Sequence, residues 1–570
     1  MSDQVYDFVI VGGGAAGCVL ANRLSADPAN RVLLLEAGRS DPFWDVLTHM
    51  PAAMGMAIAS RSHNWHYQTE PEPFMNGRRM DQPRGRLLGG SGSINAMTFV
   101  RGHPAIFDRW AKATGASEWD YAHVLPYFKR LEDSAPFGGS EYRGRGGFQP
   151  VDRAPADHPL FTLFFEAVQQ AGYPLTADIN GAVQEGFGAF DRSIRNGRRR
   201  SSSQGYLHPV MGRPNLRVRT RALATQVLLS GTRAVGVTYR VGDEEFIARA
   251  KEVVLSGGAF NTPQLLQLSG IGRPEDLEPV GITPLHELRG VGYNLEDHLA
   301  VQVQHSCTEP ISMVHMKDKK QWPLMGLQWL AGRGPATSNL FEAAGFVRSN
   351  EDTEFPDVII GFAPLAMKFD EKRIVDGHGY QVHVGTLAAR ARGSVTLKSS
   401  DPGRHPRIVF NYLDNQRDRD DWVKAIRIAR DIMSQPAFAA VDGGEVAPGR
   451  SVQSDEDLLA WVAEAAQTGL HPTGSARMGT TPDDVVDPSS MRVHGLEGLR
   501  VVDASVFPSV TNSQTYAPTL MVAEKASDMI LGNTAPAPAR LPHLEVVAEA
   551  PATVVNGVSQ RSRRPEVNRS

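Results

Sequence analysis

The sequence VIVGGGAAG occupies residues 9–17 and joins a short apolar run to the start of a helical pattern. Three glycines in it have the G-x-G-x-x-G spacing: Gly12, Gly14 and Gly17. Glycine lets the backbone turn tightly and approach a pyrophosphate at a helix N-terminus. A second apolar run ends in Glu36, at the distance expected for a carboxylate that binds a ribose 2′-hydroxyl. A glycine turn in an ordinary βαβ unit would not explain an acidic residue at the position of Glu36. The segment therefore predicts a βαβ unit for FAD or NAD, and the acid argues against NADP.

The composition of the 570-residue chain is that of a globular protein with two or more domains, 41% hydrophobic and 21% charged. Its 59 basic and 63 acidic side chains give a net charge of -4, without the basic excess typical of nucleic-acid-binding proteins. Cys18 and Cys307 are too few for a disulfide framework or a thiolate metal site. These features indicate a reducing compartment.

The apolar stretch at residues 8–20 differs from a secretory signal, because no positive charge precedes it and glycines and alanines interrupt it. The rest of the sequence lacks the roughly 18 unbroken apolar residues needed to span a bilayer. We expect a cytoplasmic protein without an integral membrane segment, whose contact with a membrane, if any, is peripheral.

Hydrophobic patterning organises the remaining chain. Residues 65–101 are rich in Gly, Pro, Arg and Asn and predict a long ordered loop. Alternating apolar segments within 216–255 predict strands. The region 301–464 predicts an α+β domain, with strands at 358–362, 379–387 and 393–398 and helices at 418–433 and 455–465. The composition of residues 536–570 predicts a flexible tail.

Two further segments are candidate cofactor loops. Residues 83–97 read PRGRLLGGSGSINAM, whose four glycines and two serines expose backbone N–H donors suited to an anion or a flavin edge. A tight structural loop would have a similar composition. Residues 258–272 read GAFNTPQLLQLSGIG and place Pro263 in the first turn of a predicted helix. Packing alone explains most positions of this second segment.

Together these segments resemble the glucose/methanol/choline (GMC) family of flavin oxidoreductases. The match continues through GVGYNLEDH at 290–298, HPTGSARMG at 471–479, VVDAS at 501–505 and MVAEK at 521–525. It covers nearly everything from residue 5 to residue 532.

The resemblance implies an α/β FAD-binding Rossmann-type domain and an α+β substrate-binding domain with an antiparallel sheet. The FAD-binding domain would comprise residues 1–155, 201–300 and 466–535. The substrate-binding domain would comprise residues 301–465, with an excursion at 156–200.

The resemblance also implies which residues bind FAD, with the flavin ring near residues 95–97 and 503–504. The predicted FAD-binding residues are Gly12, Gly14, Ala15, Ala16, Gly17, Glu36, Ala37, Arg84, Leu88, Gly89, Gly90, Ser93, Asn95, Ala96, Met97, Val227, Gly258, Asp503, Ala504, Tyr516 and Pro518. Some family members attach FAD through a histidine in the 89–97 loop. Because Ile94 occupies that register here, we expect non-covalent FAD.

The resemblance assigns the catalytic base to His471, the histidine of the H-P-x-G block. In the family this histidine takes the hydroxyl proton while hydride leaves the alcohol carbon for flavin N5. A neutral imidazole near its solution pKa suits a base that works around neutral pH. Without the surrounding block, an N-cap or core histidine would be the simpler interpretation.

The chain departs from the family at the second polar partner of the substrate. Family members usually have Asn or His just before the Ala-Pro-Thr segment, where this chain has Tyr516. A phenol donates a hydrogen bond but is a poor base at pH 7, because its pKa is near 10. The role of Tyr516 therefore stays open, and Gln514 is a possible substitute.

Within the family, the segments NW at 64–65, TEPEP at 69–73, SNLFEAAGF at 338–346 and HVG at 383–385 resemble the bacterial choline dehydrogenases. This resemblance implies substrate-binding roles for Trp65 and Glu342. A quaternary ammonium binds to aromatic faces and a carboxylate, although a salt bridge or a helix edge would explain Glu342 equally well. Gly361 replaces a substrate-binding His of those enzymes, and Leu470 replaces an aromatic residue. These replacements predict a roomier and more apolar pocket.

We expect an FAD-dependent enzyme that oxidises a primary alcohol, choline-like or aliphatic or aromatic, to its aldehyde. The electron acceptor is a quinone, a redox protein or dioxygen, and the resemblance to dehydrogenases favours an acceptor other than oxygen. Two alternatives keep the flavin. One is other chemistry on the same fold, a light-driven fatty-acid decarboxylase or a lyase, and the other is flavin binding without turnover.

Overall fold

Two seven-stranded sheets organise the residues that the structure, a computed structural model, describes: 5–366 and 377–541. The strands are β1 (Val5–Val11), β2 (Val32–Leu35), β3 (Tyr67–Gln68), β4 (Asp81–Gln82), β5 (Glu132–Ser134), β6 (Gln149–Arg153), β7 (Gly186–Ala189), β8 (Asp191–Arg192), β9 (Ile194–Arg195), β10 (Arg198–Arg199), β11 (Leu216–Arg219), β12 (Leu223–Ser230), β13 (Arg233–Val241), β14 (Glu244–Leu255), β15 (Ile271–Gly272), β16 (His286–Glu287), β17 (Tyr293–Leu295), β18 (Leu299–Cys307), β19 (Ala343–Val347), β20 (Val358–Ala363), β21 (Gly379–Thr386), β22 (Gly393–Thr396), β23 (Arg407–Val409), β24 (Asp442–Ala447), β25 (Gln467–Thr468) and β26 (Leu499–Val501). The helices are α1 (Ala15–Leu24), α2 (Val46–His49), α3 (Met54–Ala59), α4 (Pro104–Thr114), α5 (Tyr121–Leu131), α6 (Pro159–Gln170), α7 (Gly258–Leu268), α8 (Pro274–Leu277), α9 (Trp322–Leu330), α10 (Gln416–Met433), α11 (Asp455–Ala465) and α12 (Tyr516–Leu531).

The first sheet contains the predicted βαβ unit. Its order is β11-β2-β1-β14-β13-β12, and β26 pairs with the carboxyl end of β14. The pairs around β1 are parallel, with Val11 opposite Leu35 on one side and Leu255 on the other. Both faces of these strands are covered, which is why β2 is a continuous apolar run. The structure confirms the predicted β1-α1-β2 unit.

The second sheet is antiparallel, in the order β24-β18-β21-β20-β19-β7, with β25 paired to β18. Strand β7 comes from the predicted excursion at 156–200. Helix α10 packs on this sheet through buried apolar residues, including Trp422 and Ile426. The capping side chains of Asn415 and Ser454 start α10 and α11. The structure confirms the predicted strands β20, β21 and β22 and both predicted helices.

A smaller three-stranded sheet lies outside the two large ones, in the order β17-β22-β23. Its strand β17 pairs antiparallel with β22. The predicted loop at 65–101 contains the strands β3 and β4 and a 3-10 turn at Gly90–Ser93. Among the described helices, none combines the length and apolar character needed to cross a membrane.

The first residues of the predicted tail pack on the FAD-binding unit. Ala539 N donates to Ala122 O at 2.8 Å, and Leu541 is buried in the core of the first sheet. The remainder of the predicted tail, 542–570, lies outside the described residues.

Candidate active site

A cavity of about 1060 Å³ is lined by residues from both sheets. Its lining includes the turn after β1, the loop at 83–98, the start of α7, strands β20 and β21, and residues 467–472. Such a volume is at the upper end of the range for small-molecule sites. One cavity therefore brings the predicted cofactor loops and the predicted catalytic histidine together.

The glycine turn has the backbone geometry that the motif requires. Gly12 has φ +102°, and a Cβ there would lie 2.4 Å from Ser256 O. A Cβ on Gly17 would lie 1.9 Å from Gly12 O, so this glycine lets α1 pack against the turn. At Gly14 the nearest atom to a Cβ would be Gly90 Cα, at 3.9 Å. The space beside Gly14, at the N-terminus of α1, is therefore open for a ligand.

Glu36 follows β2 and lines the same cavity. Its carboxylate accepts hydrogen bonds from Gly13 N at 2.8 Å and Gly38 N at 2.7 Å. Burial raises the pKa of Glu36 to about 7, and the two backbone hydrogen bonds oppose that shift. The position and the buried oxygens suit a ribose hydroxyl as a further partner.

The second glycine loop packs directly on the first. Gly89 N donates to Gly13 O at 2.7 Å, and a Cβ on Gly90 would lie 2.8 Å from Gly14 Cα. A Cβ on Gly85 would collide with Gly90 O at 2.1 Å. The small residues thus allow residues 85–96 to cover the turn after β1 closely.

Asp503 joins α7 to the first sheet. Its Oδ2 accepts from Gly258 N at 2.8 Å and Thr262 Oγ1 at 2.6 Å, and its Oδ1 accepts from Ser505 N at 2.7 Å. Burial raises the pKa of Asp503 against these hydrogen bonds. The carboxylate therefore fixes the cavity wall formed by Gly258 and Ala504.

Most of the predicted FAD-binding residues line the cavity. Those that do are Gly12, Gly14, Ala15, Ala16, Glu36, Ala37, Arg84, Gly90, Asn95, Ala96, Gly258, Asp503, Ala504 and Tyr516. The other predicted residues, all within the described ranges, do not line it: Gly17, Leu88, Gly89, Ser93, Met97, Val227 and Pro518. Several of these support the lining from behind. Ser93 Oγ donates to Leu88 O at 2.7 Å, and Val227 N donates to Ser269 Oγ at 2.8 Å.

His471 lies in the cavity wall beside a second histidine. The Nδ1 atoms of His471 and His298 are 3.0 Å apart, which is a hydrogen-bond distance. His471 N donates to Asp297 Oδ1 at 2.6 Å. Tyr412 Oη donates to Asp297 Oδ2 at 2.7 Å, and Thr468 Oγ1 also donates to that oxygen. Asp297 and His298, the last two residues of GVGYNLEDH, therefore hold the backbone and the ring of His471.

The environment keeps both imidazoles neutral at neutral pH. Burial, His298 and Arg84 together hold the pKa of His471 well below its usual range. Burial lowers the pKa of His298 to about 4. The expected pKa near the solution value is thus wrong for His471, because the sequence does not show its burial or the cation beside it.

Three polar side chains of the cavity lining have buried atoms without a hydrogen-bond partner among the described residues: Arg84, His298 and Gln514. Arg84 Nη1 donates to Leu470 O at 3.0 Å, whereas Arg84 Nε and Nη2 are buried without a hydrogen-bond partner among the described residues. The same holds for His298 Nε2 and Gln514 Oε1. A polar ligand there, such as the flavin ring, would satisfy these atoms, so the donor set fits FAD.

The ring of Tyr516 lines the cavity, but its hydroxyl has a partner in the protein. Tyr516 Oη donates to Gln149 Oε1 at 2.9 Å, and the ring lies where a Cβ on Gly92 would collide. Burial raises the pKa of Tyr516. Tyr516 therefore forms part of the cavity wall. A direct role for its hydroxyl on the substrate stays a prediction.

The predicted substrate-binding residues Trp65, Gly361 and Leu470 line the cavity. Gly361 on β20 lies opposite His383 on β21, and a Cβ on Gly361 would meet only Ala344 Cβ, at 3.7 Å. His383 also lines the cavity, edge-on to Phe341 at 4.9 Å. Burial lowers the pKa of His383 to about 4. The cross-strand neighbour thus supplies a neutral imidazole beside the glycine.

Glu342 does not line the cavity, although the structure describes it fully. Its Oε1 forms a salt bridge with Arg192 Nη1 at 3.1 Å and accepts from Ser338 Oγ at 2.6 Å. Its Oε2 accepts from Ala156 N at 3.0 Å. Glu342 therefore forms a buried ion pair, which is the structural alternative to a substrate-binding role.

Other residues of the cavity were not predicted as site residues. They include Phe190, Ser256, His298, Gln302, Phe341, Ile359, His383 and Leu387. His298 is the last residue of GVGYNLEDH, a motif that carries the family resemblance. Its position in that motif was the signal available in the sequence. His383 and Phe341 belong to resembling segments, but their approach to the cavity depends on strand pairing.

A dinucleotide-binding sheet that shares its ligand cavity with an antiparallel sheet defines a two-domain flavoenzyme. Residues 6–300 and 389–523 match the N-terminal and C-terminal domains described as GMC oxidoreductase. The chain belongs to the GMC oxidoreductase family, and it is an FAD-dependent enzyme that oxidises alcohols.

Comparisons with individual proteins agree with this assignment. The chain is 51% identical over 535 residues to the oxygen-dependent choline dehydrogenase of Staphylococcus xylosus, covering 93% of this chain and 95% of the relative. Among solved structures it is similar to pyridoxine 4-oxidase from Mesorbium loti, with 31% identity, a TM-score of 0.85 and coverage of 93% and 100%. It is also similar to formate oxidase of Aspergillus oryzae RIB40, with 28% identity, a TM-score of 0.86 and coverage of 93% and 99%.

Proposed function

We propose that the chain oxidises a primary alcohol to its aldehyde with His471 as the base. The observation that supports this best is the contact between His471 and His298 in the wall of the shared cavity. We infer that His471 Nδ1 donates in this contact, which leaves Nε2 as the ring nitrogen that can accept the hydroxyl proton. Bound FAD supplies the acceptor for the hydride of the alcohol carbon. Loss of that hydride and of the hydroxyl proton leaves the aldehyde.

The residues that would hold FAD follow from the same cavity. The open N-terminus of α1 beside Gly14 suits the pyrophosphate, and Glu36 suits the ribose. Asn95, Ala96, Asp503 and Ala504 line the region that the resemblance assigns to the flavin ring. Ile94, buried among apolar side chains, offers no nucleophile for attachment, which supports non-covalent binding.

The lining favours a neutral alcohol as substrate. Trp65, Phe341 and the neutral ring of His383 line the cavity, and the guanidinium of Arg86 lies 4.5 Å from the centre of the Trp65 ring. The carboxylates in the described lining are Glu36, Asp81 and Asp503. Glu36 and Asp503 accept backbone hydrogen bonds, and Asp81 is exposed and accepts from Gln68 Nε2 at 2.9 Å. We therefore propose an aliphatic or aromatic primary alcohol.

Choline is the second candidate, because the Staphylococcus relatives are named choline dehydrogenases. Glu342→Gln separates the two proposals. If Glu342 only pairs with Arg192, the variant changes the rates with choline and with benzyl alcohol by the same factor. A loss confined to choline would instead make Glu342 a ligand of the ammonium group and would support the second candidate.

Dioxygen is the acceptor that we propose, since those relatives are named oxygen-dependent. This departs from the expectation of an acceptor other than oxygen. Aerobic turnover should produce one hydrogen peroxide per aldehyde. Reduction of the flavin by the alcohol without peroxide formation in air would contradict this proposal.

The test of the base is His471→Ala. We expect the bound-flavin absorbance spectrum to persist, while anaerobic reduction by medium-chain alcohols, benzyl alcohol or choline in the dark slows by about 10² to 10⁴-fold. Retention of the wild-type reduction rate would disprove the assignment. Bleaching of the wild-type flavin in the dark also separates alcohol oxidation from a light-driven reaction or binding without turnover.

A further inference from the structure

Helix α9 exposes an apolar face. Leu324, Leu327 and Leu330 are 60%, 66% and 64% exposed, and Trp322 at the start of the helix is 40% exposed. The opposite face of α9 is buried through Met325 and Trp329. The helix therefore packs on the protein with one side and leaves a row of leucines in contact with water.

A second exposed apolar segment lies at the start of α2, a few residues before side chains that pack on α9. Phe43 and Trp44 are 76% and 68% exposed, and Val46 is 43% exposed. Met50 and Ala52, which follow α2, pack on the cluster formed by Met325, Trp329 and Ala336. The chain that follows the second segment therefore packs on the buried face of α9. We call the exposed side chains of α9 and of this segment the apolar surface: Phe43, Trp44, Val46, Trp322, Leu324, Leu327 and Leu330.

Basic side chains border the apolar surface although the whole chain carries a net charge of -4. Lys317, Lys319 and Lys320 are exposed just before α9, and Arg333 is exposed just after it. Asp318 is the acidic residue within this segment. Exposed leucines and tryptophans flanked by cations are typical of a helix that lies in a bilayer interface and attracts anionic headgroups.

We propose that the apolar surface docks on an anionic lipid bilayer, with α9 lying in the plane of the headgroups. A second copy of the chain fits less well. A two-fold interface places the same patch of both copies together, so the two basic clusters would face each other. The proposal goes beyond the proposed function and does not depend on it.

Docking in this way would bring the cavity close to the bilayer. Met54 and Ile58 of α3 line the cavity, while Met56 of the same helix is 42% exposed. Helix α3 follows the segment that packs on α9. An apolar alcohol dissolved in the bilayer would therefore have a short path to the cavity.

The test is flotation of the full-length holoenzyme with vesicles of phosphatidylcholine, with and without one quarter phosphatidylglycerol. We expect flotation with the anionic vesicles, and less flotation in high salt. Replacing Leu324, Leu327 and Leu330 together by Ser should reduce the bound fraction at least tenfold. Lys319→Gln and Lys320→Gln should each weaken binding about fivefold.

Ile247→Ser with Leu285→Ser is the matched control, because these side chains are 59% and 61% exposed outside the apolar surface. This control should float like the wild type. The proposal is overturned if the wild type does not bind anionic vesicles, or if the triple leucine variant binds as well as the wild type. It is also overturned if the wild type is a dimer that the triple variant converts to monomers.

Discussion

The pair formed by His471 and His298 explains how a buried imidazole can be kept ready as a base. Each ring is neutral and carries one N–H, and the contact between their Nδ1 atoms requires one ring to donate. If His471 donates, its Nε2 has the free lone pair. The proton of His298 then resides on Nε2, a buried atom without a hydrogen-bond partner among the described residues. We infer that His298 is a positioning residue, which sets the tautomer of His471.

Substitution of His298 tests this role. His298→Leu removes the acceptor for His471 Nδ1–H and should slow anaerobic flavin reduction about 10²-fold. His298→Asn retains an acceptor oxygen near the original Nδ1 and should recover most of the rate. Stopped-flow measurements at saturating alcohol check both variants. Equal losses in the two variants would indicate that His298 only fills space.

The pH dependence of the reaction follows from the lowered pKa of His471. A histidine acts as a base in its neutral form, which predominates above its pKa. Because burial, His298 and Arg84 lower this pKa, the base form persists below pH 6.5. We expect kcat/KM to be constant from about pH 6.5 to 8 and to fall only at lower pH. A fall of kcat/KM on the acid side that is centred at or above pH 7 would contradict the lowered pKa of His471.

The turn between β1 and α1 shows two different uses of glycine within one element. Gly12 and Gly17 are required by the protein itself, because a Cβ at either would collide with backbone. Gly14 has space beside it in the protein, so its lack of a side chain serves the ligand. The spacing of the motif predicts all three glycines equally, and only the structure separates their roles.

Gly14→Val and Gly17→Val should therefore fail in different ways. Gly14→Val should retain the melting temperature of the apoprotein but lose more than nine tenths of its bound FAD, because the side chain would occupy the pyrophosphate space. Gly17→Val should lower the free energy of unfolding by about 3 kcal/mol. Differential scanning calorimetry and flavin absorbance distinguish these outcomes. A strongly destabilised Gly14→Val apoprotein would refute the distinction.

Elements with strong periodicity could be predicted from the sequence, and irregular ones could not. Helices α10 and α11 have an apolar face and capping side chains, and the structure confirms them. Strands β7 and β24 were not predicted, because Gly188 and Gly443 interrupt their apolar pattern. The pairing of Gly361 with His383 depends on the register of β20 and β21. That register arises from the whole sheet, so the sequence did not show His383 as a site residue.

At the scale of the molecule, the site exists only because distant segments meet. Glu36, Arg84, His298 and His471 come from four parts of the chain and line one cavity. Their order along the sequence carried the resemblance, which predicted the family and the catalytic histidine. The ion pair of Glu342 with Arg192 joins residues 150 positions apart. Such a contact has no local signal, which is why the role of Glu342 stayed open.

A cofactor that is held by several segments without a covalent bond should stabilise the molecule by mass action. Binding adds RT ln(1 + [FAD]/Kd) to the free energy of unfolding, which is about 1.4 kcal/mol for each tenfold increase in free FAD above Kd. The melting temperature of the holoenzyme should therefore rise with the FAD concentration. Calorimetry at several FAD concentrations measures this rise, and acid precipitation should release the flavin into the supernatant. His471→Ala serves as a control, since it should retain the same dependence while losing activity. A melting temperature that does not depend on FAD, together with a yellow pellet after acid treatment, would show a covalent link and contradict the role expected from Ile94.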